Sequence, residues 1–261
     1  MVRLKSSDEI EMMRLAGRVV AEALAAMRDA IVPDQTRTVD LDEIAGDVFA
    51  KRGAVSAFLG YKPSFSAVKY KHNTCLSVNE EVVHGVPGKR VLRNGDIISL
   101  DTGASVGGWH ADAAITVVVG GASPAAEKLL SVTRQAMLEG IAQARPGKRI
   151  GDISAAIQWH AERSGYGVVR SLVGHGIGRS PHEEPQVPNY GRSNQGLLLK
   201  PGMVICIEPM VNIGTGEVNH VPGDDWTIVT ADRSLSAHFE HTVAVTENGP
   251  DLLTVDFRTE K

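Results

Sequence analysis

Two stretches of the chain carry one pattern at a constant offset of 107 residues. They are Leu92-Arg93-Asn94-Gly95-Asp96-Ile97-Ile98-Ser99-Leu100-Asp101 and Leu199-Lys200-Pro201-Gly202-Met203-Val204-Ile205-Cys206-Ile207-Glu208, with seven of ten positions identical or similar in kind. Upstream, Pro33 and a helical stretch ending Arg52-Gly53 correspond to Pro146 and one ending Arg163-Ser164-Gly165, and His84-Gly85-Val86 parallels His175-Gly176-Ile177. An internal repeat constrains architecture before any single element does. Each copy reads as two helices followed by a β unit that ends in a carboxylate. With 261 residues in all, the expectation is one large domain over 1–261, made of two diverged halves of about 7–120 and 121–255. A pseudo-two-fold between them would bring Asp101 and Glu208 to a shared centre.

The local signals fit that plan. Ser6-x-x-Glu9 reads as a capping box, and Ile10, Met13, Gly17, Val20, Leu24 and Met27 recur at helical spacing before Pro33. A second helix is expected from Thr38 to a stop at Gly53, a third from Ser123-Pro124 to Ala144, and a fourth from about Gly151 to Ser164. The runs DIISLD, AAITVVVG, MVICIE, DWTIVT and HTVAVT, bounded by Gly, Pro and Asn, read as strands able to pair as hairpins.

Composition narrows the class of function. Hydrophobic residues at 43% and charged residues at 22% exclude a disordered chain, a coiled coil and a disulfide scaffold. A net charge of -4 supplies no basic field, so the chain is not expected to bind nucleic acid or an anionic membrane itself. Cys75 and Cys206 are too few for a disulfide framework and suit a reducing compartment. No apolar segment follows Met1, and no run of apolar residues is long enough to span a bilayer. A cytoplasmic protein is expected.

Asp101, Asp112, His175, Glu208 and Glu240 each lie beside an apolar strand or a Gly-rich turn, where an unpaired charge is costly to bury. Taken singly each has an ordinary reading: hairpin-flanking acids are usually solvated, Glu208 could form a salt bridge, and Glu240 sits in a polar cluster with His238 and His241. Together, four carboxylates and one imidazole make an oxygen-rich ligand set that favours Mn(II), Fe(II), Co(II) or Zn(II) over a thiolate site. Four carboxylates exceed the needs of one ion. Two of them bridging a metal pair would make a hydrolytic centre.

The strings SVNEEVVHGVPG, DIISLDTG, GWHADAAITVVVG, GHGIGRSPHEEPQVPNYG, LKPGMVICIEPMV and DWTIVTADRSLSAHFEHTVAVTENG, in this order and from about Ser6 to Leu253, closely resemble the type I methionine aminopeptidases. The resemblance implies an α+β pita-bread fold, a pseudo-two-fold antiparallel sheet flanked by helices. It implies a single catalytic metallopeptidase domain that removes the initiator methionine, preferably before a small second residue, by attack of a metal-activated hydroxide on the first peptide bond. The family's ligands fall on Asp101, Asp112, His175, Glu208 and Glu240, for two divalent ions. Asp112 and Glu240 would bridge, Asp101 would chelate one ion, and His175 with Glu208 would complete the other. His84 would bond the scissile peptide, His182 the carbonyl oxygen, and Glu208 would shuttle the proton. Tyr61, Cys75 and Trp226 match the methionine pocket, and Asn79, Glu81 and Ser236 match a monovalent-cation site. N-terminal Met peptides and nascent chains are the implied partners of a monomer, with a transient ribosome contact.

The chain departs from the family pattern at Phe58, at Pro181 before His182, and in a longer Tyr61 to Cys75 segment. Phe65 and Tyr70 in that segment receive no role, and Lys62, Lys69, Lys71 and His72 read as a solvated loop edge. The alternatives are a proline-directed aminopeptidase of the same fold and a non-catalytic binding protein that kept it.

Overall fold

The computed structural model describes residues 2–62 and 68–255; Phe65 lies outside them. Four helices carry the expected signals. Helix α1 (Ser7–Asp29) begins at a complete capping box, in which Ser6 Oγ accepts the Glu9 N–H and the Glu9 carboxylate accepts the Ser6 N–H. Helix α2 (Thr38–Arg52) stops at Gly53, whose φ of 63° lies in the left-handed region. Helix α3 (Pro124–Ala142) is capped by Ser123 with proline in its first turn, and α4 (Ile150–Arg163) follows. In chain order the strands of the first half are β1 (Val55–Ser56), β2 (Cys75–Val78), β3 (Glu81–Val83), β4 (Ile97–Val106) and β5 (Trp109–Val118). Those of the second are β6 (Gly167–Val168), β7 (Gly174–Gly176), β8 (Glu183–Val187), β9 (Val204–Ile207), β10 (Met210–Asn212), β11 (Val218–His220), β12 (Ile228–Thr230), β13 (Ser236–His238), β14 (Glu240–Thr246) and β15 (Gly249–Leu252).

The main sheet has nine strands in the order β1-β4-β5-β14-β9-β7-β8, with β2 also on β4 and β15 also on β14. Its pairs are antiparallel. Two smaller sheets, β13-β10-β6 and β11-β12-β3, flank it. The expected hairpin forms from β4 and β5, in register from Ile97↔Val118 to Val106↔Trp109. Strand β9 instead pairs β14, so the second half closes around the first at the sheet's centre.

Strand alternation divides the sheet into two faces. On one face Ile98 and Leu100 of β4 pack under α1 and α2, in a core with Leu24, Met27, Leu41 and Phe49. The same face of β9 presents Ile205 and Ile207 to α3 and α4, in a core with Met137, Ile141, Ile153 and Ile157. These strand pairs stand at the 107-residue offset. The buried aliphatic side chains each contribute about 1.5–3 kcal/mol of transfer free energy. The other face carries Asp101 and the residues opposite it. Gly17 lets α1 approach the end of the chain, since a Cβ there would lie 2.0 Å from the Leu253 carbonyl oxygen.

Candidate metal centre

The β4–β5 hairpin opposes Asp101 to Ala114 and Gly103 to Asp112, while β14 opposes Glu240 to Ala114. Period-two alternation therefore aims Asp101, Asp112 and Glu240 into one space. One carboxylate oxygen from each lies within 4.8 Å of the others, and the residues are 8%, 3% and 3% exposed. His175, on β7, brings its Nε2 to 3.4 Å from Glu208 Oε1 just beyond β9. All five predicted ligands line a single cavity of about 670 Å³.

Charge decides what this arrangement needs. Burial first, and then the neighbouring carboxylates, hold Asp101, Glu208 and Glu240 well above the usual carboxylate range. Burial lifts Asp112 to about 7. His175 Nδ1 lies 2.9 Å from the Gly176 carbonyl, which can only accept, so Nδ1 carries the proton and Nε2 turns a lone pair toward Glu208. Burial lowers His175 to about 3, so the ring is neutral. Among the described residues Asp112 Oδ1 and Glu240 Oε1 have no hydrogen-bond partner although both are buried. Buried acceptors that face one another without donors fit a cation between them. The oxygen-rich set with one imidazole fits a divalent ion.

The remaining predicted residues surround this centre. His84 lines the cavity from a backbone with φ 59°, a region sparsely used outside glycine, and burial lowers it to about 4. His182 is exposed at the rim, stacked on Tyr61 with ring centroids 5.2 Å apart and 4.3 Å from the His175 ring. Cys75, directly opposite Asp101, and Trp226 complete the predicted pocket, and Phe58 lines it too. Pro181 is not among the lining residues. Asn79, Glu81 and Ser236 lie outside the cavity wall. The Asn79 carbonyl accepts the Ser236 N–H at 2.9 Å, and Ser236 Oγ is buried without a hydrogen-bond partner among the described residues.

Four residues gain roles here that the sequence reading left open or missed. Tyr70 is buried, donates its hydroxyl to the Thr74 carbonyl at 2.8 Å and packs edge-on against Trp226 at 4.8 Å. His72 is half-buried rather than a solvated edge, because its Nδ1 reaches Asp42 on α2 at 3.3 Å. Among the described residues His238 finds no hydrogen bond at either ring nitrogen, and its Nε2 lies 3.8 Å from Glu208 Oε2. Cys206 groups with His175 and Glu240 within 4.8 Å. The last two stand two positions before Glu240 and Glu208, so period-two alternation was the signal that locates them.

The chain matches metallopeptidase family M24 over residues 11–247. It is 47% identical to methionine aminopeptidase 1 of Bacillus subtilis over 97% of this chain and 99% of that one. Among solved structures it is similar to a methionine aminopeptidase from Thermotoga maritima, with a TM-score of 0.93, 45% identity, and 97% and 99% of the two chains covered. A prolidase from Pyrococcus furiosus shares the fold at a TM-score of 0.77 and 24% identity, over 99% of this chain and 66% of that one. The fold is thus the α+β pita-bread arrangement expected from the resemblance, and the chain belongs to metallopeptidase family M24, in its branch of type I methionine aminopeptidases.

Proposed function

We propose that this enzyme removes the N-terminal methionine from peptides and nascent chains, preferably before a small second residue, at the centre formed by Asp101, Asp112, His175, Glu208 and Glu240. One observation carries the reading: buried carboxylates and a neutral imidazole face one another with acceptor atoms that have no donor. Asp101, Asp112, His175, Glu208 and Glu240 would hold two divalent ions, drawn from Co, Mn, Fe or Zn. When bound, such a pair supplies Lewis acidity that lets water ionise near neutral pH.

The side chains do the rest. Glu208, between His175 and His238, holds the proton taken from water and returns it to the leaving amine. His84 hydrogen-bonds the scissile peptide, and His182 bonds the carbonyl oxygen as it becomes tetrahedral. Tyr61, Cys75 and Trp226, with Tyr70 behind them, offer aromatic and sulfur surface to a polarizable thioether. We further assign a monovalent cation to Asn79, Glu81 and Ser236, a monomeric cytoplasmic state, and a transient ribosome contact at Lys62, Lys69 and Lys71. The description of the domain as two diverged halves is supported by β4 and β9 starting at Ile97 and Val204, the repeat offset apart.

The test is peptide specificity after removal of metal with chelator and reloading with Mn(II) or Co(II). Release of methionine from Met-Ala-Ser, with Ala-Met-Ser intact, is expected by mass spectrometry. Release of a residue preceding proline, with Met-Ala-Ser untouched, would move the assignment to proline-directed cleavage.

A further inference from the structure

Strands β5 and β14 join the two halves at the middle of the sheet, and they pair only at Ala114↔Glu240 and Ala113↔His241. On each side of this short ladder a threonine hydroxyl replaces the next rung. Thr242 Oγ1 accepts the Asp112 N–H at 2.9 Å and donates to the Asp112 carbonyl at 2.8 Å. Thr116 Oγ1 accepts the His238 N–H at 2.9 Å and donates to the His238 carbonyl at 2.7 Å. Both threonines are buried. Each hydroxyl has a third polar neighbour: the Ser99 hydroxyl 2.9 Å from Thr116 Oγ1 and the Cys206 thiol 3.6 Å from Thr242 Oγ1.

Symmetry shows that this is one device used twice. A local two-fold through the Ala114↔Glu240 pair exchanges Thr116 with Thr242 and Asp112 with His238. Ser99 and Cys206 are equivalent positions of the 107-residue repeat. The backbone of Thr242 is turned elsewhere: its N–H donates to Thr254 Oγ1 at 3.2 Å and its carbonyl accepts from Leu253 at 2.9 Å. Only its side chain can serve Asp112.

A backbone rung would draw the strands to about 4.8 Å. An interposed hydroxyl holds them farther apart while leaving no buried N–H or C=O unpaired, and β-branching holds χ1 in place. The residues held this way are Asp112 and His238, with Glu240 between them. We propose that Thr242 and Thr116 are positioning residues that set the distance between Asp112 on β5 and Glu240 on β14, and through it the affinity of the centre for divalent metal. The proposal rests on the metal-centre reading above.

The experiment is Mn(II) titration by calorimetry of chelator-treated full-length protein, with circular dichroism to establish folding and with kcat and KM on Met-Ala-Ser. Thr242→Val and Thr116→Val keep shape and burial but remove the hydroxyl. Each is expected to weaken Mn(II) binding about 10–100-fold and to lower kcat at little change in KM, while Thr242→Ser and Thr116→Ser stay within about threefold of the parent. Parent-like Mn(II) affinity in folded valine variants overturns the proposal, as do serine variants that lose as much as the valine ones. If neither valine variant folds while both serine variants do, the hydroxyls are structural requirements, and the proposal falls. The centre itself is read separately: unaltered protein with no Mn(II) isotherm sensitive to Asp112→Ala refutes the metal site, and this inference with it.

Discussion

At the scale of single residues, the centre trades stability for function. Among the described residues Asp112 Oδ1 is buried without a donor, and its neighbours Asp101, Glu208 and Glu240 are carboxyls that burial and one another hold well above their usual range. Asp112→Asn keeps the volume and removes a carboxyl that the metal-free fold holds protonated to about pH 7 but that ionises on unfolding. The metal-free variant is expected to be more stable than the parent by about 1–2 kcal/mol, and to lose more than about 100-fold in metal affinity and turnover together. Thermal unfolding and metal titration of the same sample check both halves, and a variant that keeps its turnover would refute the assignment of Asp112 as a ligand. The four acids and one imidazole were legible in the sequence because each breaks an apolar strand or a glycine turn. The donors and hydroxyls that aim them were not, since Thr116, Thr242 and Cys206 look like ordinary strand residues until the register of β5, β9 and β14 is known.

Among elements, the segment that precedes α1 controls a loop far away in sequence. Lys5, its side chain 1% exposed, brings Nζ to 2.9 Å from Glu183 Oε2. The other carboxylate oxygen of Glu183 accepts the Arg179 and Ser180 N–H groups at 2.7 and 3.1 Å. The chain between those contacts carries His182. Lys5→Met removes the buried cation and is expected to cost about 3 kcal/mol of stability. Turnover should fall while metal affinity stays at the parent level, because none of the five proposed ligands moves. Chemical denaturation and steady-state kinetics test this; equal loss of metal binding would show that the segment acts on the whole centre. Helix boundaries were readable from caps, down to the capping box at Ser6 and the stop at Gly53. The pairing of β9 with β14 rather than with a sequence neighbour was not, because no turn chemistry encodes a contact between distant strands.

For the molecule as a whole, the carboxylates and histidines set opposing responses to pH. Metal-free and folded, Asp112 keeps its proton to about pH 7, whereas an unfolded aspartate releases it near 4. The folded state binds more protons between those values, so stability falls as pH rises through them. Buried His175 and His238, lowered to about 3, bind fewer protons than the unfolded chain between about 3 and 6.5, which raises stability over that window and contributes no further slope above it. Above pH 6.5 the carboxyls Asp101, Glu208 and Glu240, raised as well, add to the same downward slope. The melting temperature of chelator-treated protein is therefore expected to decline from pH 6.5 to 8. Saturating divalent metal should cancel the decline, adding about 2.7 kcal/mol at a hundredfold excess over Kd. A midpoint that climbs with pH in chelator would contradict these shifts. No helix among the described residues is long and apolar enough to cross a membrane.

The short ladder between β5 and β14, and the approach of α1 at Gly17 to Leu253, bear on when the enzyme becomes competent. Both contacts close very long loops of chain, and such contacts form late and slowly. Refolding should then run in two kinetic stages, with helical signal and apolar burial returning first and the ability to capture metal returning last. A newly made chain would pass through an interval in which it is already compact but still inert, and that interval ends only when its final strands dock.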